Sequence, residues 1–155
     1  MTKTRIKLLG VLASILMLAM GAPVDVAYAD GSINATGTFA DTAFTILAVR
    51  VVGANTILTV TGSGVISGDL TGTYTFGGTV TIGSTGSATY HVIDVCECTI
   101  VGKSGTVVAD EKGSGNLPGG DFHADVKIIK AFGDLTGLKG KGTLQGTQDP
   151  VTLLT

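Results

Sequence analysis

The sequence predicts an all-β chain, a single antiparallel β-barrel of about eight strands preceded by a signal-peptide helix. Three observations carry that expectation. Glycine occurs 24 times in 155 residues, and after the first thirty positions it breaks up most stretches long enough for a helix, at about 1 kcal/mol per interior glycine. The two longest glycine-free runs, 38–52 and 87–101, are rich in Thr, Val and Ile, which suit pleated strands and are stiff in helices. Two segments alternate with period two. In DLTGTYTF, Leu70, Gly72, Tyr74 and Phe76 fall on one face and Asp69, Thr71, Thr73 and Thr75 on the other. In DFHADVKI, Phe122, Ala124, Val126 and Ile128 oppose Asp121, His123, Asp125 and Lys127. Such patterning belongs to a sheet with one dry face and one wet face.

The first element is the leader. Lys3, Arg5 and Lys7 precede an apolar run at 8–20, and Ala27-Tyr28-Ala29 offers small residues at the two positions a signal peptidase reads. This is the three-part layout of a secretory signal, with the cut expected after Ala29. The run is short for a membrane span, which needs about 20 residues. The expected division is therefore a signal peptide at 1–29 and one β-barrel domain at 30–155. The mature part keeps seven basic and eleven acidic residues, a formal charge of −4. It has no basic cluster to hold phosphates, which excludes a nucleic-acid partner. A secreted or periplasmic protein, off the membrane once the signal is cut, is expected.

Strands are expected near 32–40, 43–52, 56–66, 68–76, 78–83, 87–101, 104–111, 121–132 and 139–148. LPGG at 117–120 is the clearest loop. Short turns make antiparallel hairpins the natural connection, and closure into a barrel removes exposed edges. Gly-Asp-Leu-Thr-Gly occurs at 68–72 and again at 133–137. Two copies are too few for a repeat array, but they suit equivalent corners of a barrel.

The residues that carry chemistry are few. No Gly-x-Ser-x-Gly elbow is present, and His91 and His123 are the only imidazoles, which argues against a serine triad. GKS at 102–104 echoes a phosphate loop, but Glu97 stands where that motif needs glycine. Asp121, His123 and Asp125 share one strand face. Alternate residues on a strand lie about 6.5–7 Å apart, too far for three of them to converge on one metal ion, and a solvated outer face explains them. On the strand at 87–101, Tyr90, Asp94, Cys96 and Cys98 share one face. If that face turns inward, Asp94 is a buried carboxylate with a raised pKa and a candidate catalytic base, with Tyr90 beside it; a bulge within the strand would switch the parity. Cys96 and Cys98 are the only cysteines. In an oxidising compartment they have four readings: a disulfide that needs a bulge or kink to bring them together, two buried thiols, an intermolecular link, or a soft-metal clip. Asn34-Ala35-Thr36 is a glycosylation sequon.

GKSGTVVADEKGSG, followed by KIIKAFGDLTGLKGKGTLQG, resembles a bacterial family of unknown function. Its members read as a glycine-marked turn, a strand, and a Gly-(Asp/Glu)-Leu-x-Gly-Leu-x-Gly segment near the C-terminus. The resemblance spans most of the mature chain and is strongest over 102–146. That family looks like part of the allene oxide cyclase barrel-like superfamily, which includes the dirigent proteins, and so implies a barrel. It carries over no functional residue, because the family has no established catalytic set. The cysteine pair and the export signal depart from its usual pattern.

With so few convergent catalytic groups, the reading leans away from an enzyme and calls for no cofactor. It favours an exported module that binds a small apolar ligand or assembles with copies of itself. The alternatives are a cyclase- or isomerase-like enzyme with a site in the barrel lumen, and a structural component of the envelope or matrix.

Overall fold

Glycine-marked turns fold the chain into an antiparallel meander. The structure, a computed structural model, describes residues 17–20, 23–28, 31–116 and 121–148. Its strands are β1 (Met17–Met20), β2 (Pro23–Tyr28), β3 (Gly31–Val52), β4 (Asn55–Gly68), β5 (Leu70–Ile82), β6 (Ser87–Ile100), β7 (Lys103–Asn116), β8 (Asp121–Ala131) and β9 (Lys139–Gln148). One 3-10 turn, Gly133–Leu135, joins β8 to β9. The LPGG loop lies outside the described residues.

From β3 to β9 each strand pairs antiparallel with the next. This all-β sheet of seven strands corrects the expected eight-stranded barrel, because its two edges do not meet: among the described residues β3 and β9 share no ladder. Between those edges lie β1 and β2, each paired with both. The expected leader helix is corrected too. Its described residues are strands, because a segment laid between two open edges finds backbone partners on both sides there.

Other expectations change in detail. The segments 32–40 and 43–52 form one strand, β3, with register shifts between Asp41 and Ala43 and between Ile46 and Ala48. Each shift inserts one unpaired residue, Thr42 or Leu47, and so bends the strand. The break expected near Gly77 is absent, since β5 runs through it in register with both neighbours. The strand expected at 104–111 continues to Asn116.

Inward residues stack in layers that the register defines. Ile66, Gly72 and Cys98 form one layer, and Gly64, Tyr74, Cys96 and Val107 the next. Phe44, Gly62, Phe76 and Asp94 follow, then Val60, Gly78, Val92 and Glu111, and then Leu58, Val80, Tyr90 and Gly113. The first layers belong to the hydrophobic core. Leu135 is fully buried there with Leu138, Ile100, Ala35 and Val107, and Leu70 packs against them. Both Gly-Asp-Leu-Thr-Gly corners are at this end. In the first, the Asp69 carboxylate accepts hydrogen bonds from the Thr36 backbone N–H and hydroxyl, each 3.0 Å long. In the second, Gly133 takes a left-handed φ of 69° against the backbone of Gly105, and so turns Leu135 into the core.

Three inward aromatics lie flat across the neighbouring strand, and each covers a glycine. Tyr74 covers Gly64, Phe76 covers Gly62, and Tyr90 covers Gly113; a Cβ at any of these glycines would collide with the ring. Gly64→Ala is therefore expected to cost about 1–3 kcal/mol in urea unfolding, the usual range for overpacking. Gly77→Ala, whose Cβ would meet only ordinary contact at 3.7 Å, is the matched control and should stay within about 0.5 kcal/mol.

Candidate functional site

Strand β6 fixes the parity that the sequence leaves open. Exposure alternates along its whole length, and its register with β5 and β7 runs without a shift. Tyr90, Asp94, Cys96 and Cys98 face inward, while His91, Ile93, Val95 and Glu97 face solvent.

Asp94 sits in register between Phe76 and Ala109. Its diagonal neighbour on β7 is Glu111, and the two carboxyl groups share a side-chain hydrogen bond. The Tyr90 hydroxyl donates to Glu111 Oε1 at 2.8 Å. Asp41 keeps the inward parity of Ala35 and Phe39 and lies opposite Gly64, where it accepts a hydrogen bond from the Tyr74 hydroxyl. Phe76 stacks on Tyr74 with centroids 6.2 Å apart and also meets Phe44 at 6.2 Å. The result is a cluster of three carboxyls and two phenols, floored by aromatic rings.

Its electrostatics follow from burial. Desolvation, reinforced by the nearby Glu111, pushes the Asp94 pKa up to about 8. Desolvation also raises Asp41 to about 6, against the opposing effect of the Tyr74 hydrogen bond, and it raises Glu111. Both tyrosines are held firmly protonated by burial and by the adjacent carboxyls. Every charge acting on Asp94 is acidic: Glu111, Asp41 and Asp110. Near neutral pH the Asp94–Glu111 pair holds a proton as a unit. One atom has no partner among the described residues, the buried Asp94 Oδ2. The pair can donate or accept a proton, or receive a ligand's donor at that oxygen.

Just beyond this cluster, Cys96 and Cys98 are joined as a disulfide with a Cα–Cα distance of 5.4 Å. Of the bulge or kink that such a bridge needs, there is no bulge, since β6 keeps its register; the strand shortens locally between the two residues. Gly72 lies directly opposite Cys98, and a Cβ there would strike the Glu97 carbonyl.

The remaining candidates are on the outside. Asp121, His123 and Asp125 are exposed on β8, and Asn34 is exposed on β3. His91 pairs with Asp110, which Lys112 also contacts at 3.1 Å, and these contacts pull the Asp110 pKa down. Among the described residues no group of three or more His, Cys, Asp and Glu side chains is placed to hold a metal ion.

Sequence reasoning missed Asp41, Glu111 and the role of the Tyr74 hydroxyl. Glu111 had a readable signal, because Val107, Ala109, Glu111, Gly113 and Gly115 occupy alternate positions and so set one carboxylate in an apolar stripe. Asp41 also alternates with Ala35, Gly37 and Phe39, but it falls in the gap between the strands expected at 32–40 and 43–52.

Residues 35–153 match the family model described as a protein of unknown function, DUF3224. The chain belongs to the DUF3224 family. No curated protein and no solved structure matches it. The DUF3224 match takes in all five cluster residues and both cysteines, and leaves β1 and β2 outside.

The raised carboxyls set the pH dependence of this DUF3224 domain. A carboxyl with a higher pKa folded than unfolded binds more protons in the folded state, so stability falls as pH rises between the two values. For Asp94 that window runs from about 4 to about 8 and for Asp41 from about 4 to about 6. The slope cannot exceed about 1.4 kcal/mol per pH unit for each group. Thermal melts should show the midpoint dropping from pH 4 to pH 8, and Asp94→Asn should flatten the upper half of that fall. A midpoint that rises through this range would contradict the burial of the pair.

Proposed function

We propose that the chain is an exported protein whose inward face binds a small molecule with an apolar body and a hydrogen-bond-donating or cationic head. The observation that carries this reading is the Asp94–Glu111 pair, inward-facing and flanked only by acidic charge, with Asp94 Oδ2 unpartnered. A buried acceptor without a donor is costly, and a ligand head that donates to it removes that cost. The half-buried Leu58 and Val80, in the same layer as Tyr90, suit the apolar body. Ligand sites commonly combine an apolar lining with a few convergent polar groups. Export is supported by the three-part leader and by the oxidised cysteine pair. Closure of the mature chain into a barrel, as in the allene oxide cyclase barrel-like superfamily, is part of this proposal.

A second reading rests on the Asp94 pKa near 8. A general base is most effective with a pKa close to the working pH, so the same pair suits proton transfer in an isomerase- or cyclase-type reaction. Asp94 would take the proton, and the Tyr90 phenol would stabilise charge.

Native mass spectrometry of protein from an exporting host, followed by denaturation, tests the binding reading. The expected result is a small co-purifying mass that is lost on denaturation. Added long-chain alkyl amines should also raise the melting midpoint of the wild type more than that of Asp94→Asn. Bare protein whose midpoint no amine or alcohol moves would sink the proposal.

A further inference from the structure

The second half of β3 is an apolar edge with no strand partner on one side among the described residues. On one side β3 pairs with β4 from Gly37 to Val52. On its other side, among the described residues, pairing stops at Ala40. Beyond that point the strand carries Ile46, Leu47, Val49, Val51 and Val52, and Leu47, Val49 and Val51 are 63%, 58% and 70% exposed. Side chains alternate between faces along a strand, so apolar groups stand on both faces of this edge. A long, apolar, unpaired edge is a template for another strand.

We propose that the edge of β3 from Thr45 to Val52 is a self-association surface that pairs antiparallel with the same edge of a second copy of this chain. Charge selects that occupant. From residue 42 to residue 68 the chain holds no acidic residue and one basic residue, Arg50. On a mature chain with eleven acidic groups and a formal charge of −4, this edge lets two copies meet without acid facing acid. A two-fold pair centred on Val49 sets Arg50 opposite Ala48 and Ile46 opposite Val52, so the arginine meets a methyl group and never its own copy. Centring the pair on Arg50 would oppose like charges, which is unfavourable. The two-fold arrangement is isologous, satisfies the open backbone groups of both copies at once, and closes at two.

Sedimentation velocity of the exported chain, over about 1–100 μM where a modest interface of this size is readable, tests the proposal. A dimer is expected. Val49→Lys opposes two ammonium groups at the two-fold centre and should weaken the dimer at least about tenfold. Because Val49 is exposed, its melting midpoint should match that of the wild type at a concentration where both are monomeric. A monomeric wild type, or a dimer that Val49→Lys leaves intact, overturns the proposal. So does a monomer that co-floats with phosphatidylcholine vesicles, which would make the apolar edge a membrane contact.

Discussion

Three aromatic rings occupy space that three Cβ atoms would otherwise fill, and the inward face is arranged around that exchange. Glycine weakens a strand through backbone entropy and the loss of a packing group. A ring laid over the glycine returns the lost contact and buries a large apolar surface. At Gly64 and Gly113 the exchange also aims a hydroxyl. Tyr74, lying flat, brings its oxygen to Asp41 on β3, and Tyr90 brings its own to Glu111 on β7. With any side chain at those glycines the rings would have to stand upright, and the phenols would miss the carboxyls. The polar cluster is therefore a consequence of where glycines fall in the register.

The same carboxyls show what burial does when no cation compensates it. Asp69, exposed and holding two donors from Thr36, has its pKa drawn below the usual range. Asp41 has a donor of its own in Tyr74, yet its pKa rises because burial outweighs that hydrogen bond. Asp94 rises further, since its nearest charged neighbour is another acid. An apolar replacement of that pair would fold more easily. A fold that keeps polar conflict in one place concentrates it where ligands or chemistry use it. That argument ties the cluster to function more firmly than fold class does, because folds host many activities.

Much of this arrangement is legible in the sequence, for physical reasons. Period-two patterning places Leu70, Tyr74 and Phe76 inward and puts Asp121, His123 and Asp125 outward, because a strand has only two faces. The same rule puts Asp94 beside Tyr90 on one face, but not which face, since β6 has apolar residues on both sides, Ile93 and Val95 outward and Val92 inward. Neighbouring strands decide that question through packing that local sequence does not encode. Bulges are the other blind spot. One extra residue at Thr42 reverses the parity of the rest of β3, and it alone lets both Asp41 and Phe44 point inward. That β3 and β9 share no ladder is unreadable as well, because an edge is defined by the strand that fails to pair with it.

The two ends of the sheet differ, and the difference gives the site a direction. One end is filled by Leu135, Leu138 and Ile100, with the Cys96–Cys98 bridge packed against them. At the other end the inward positions are Thr56, Ile82, Ala88, Gly115 and Phe122, and of these only the small Ala88 is buried. Between the ends the register orders the polar groups: Tyr90 first, then Glu111, then Asp94, and Asp41 with Tyr74 deepest. In the binding reading proposed above, a head group arriving from the less filled end would meet the phenol and shared proton before the unpartnered oxygen of Asp94. Its apolar body would then lie level with Leu58, Val80 and Ile82. On that reading the filled end would set the depth of the ligand, and the protonation of one carboxyl pair its selectivity.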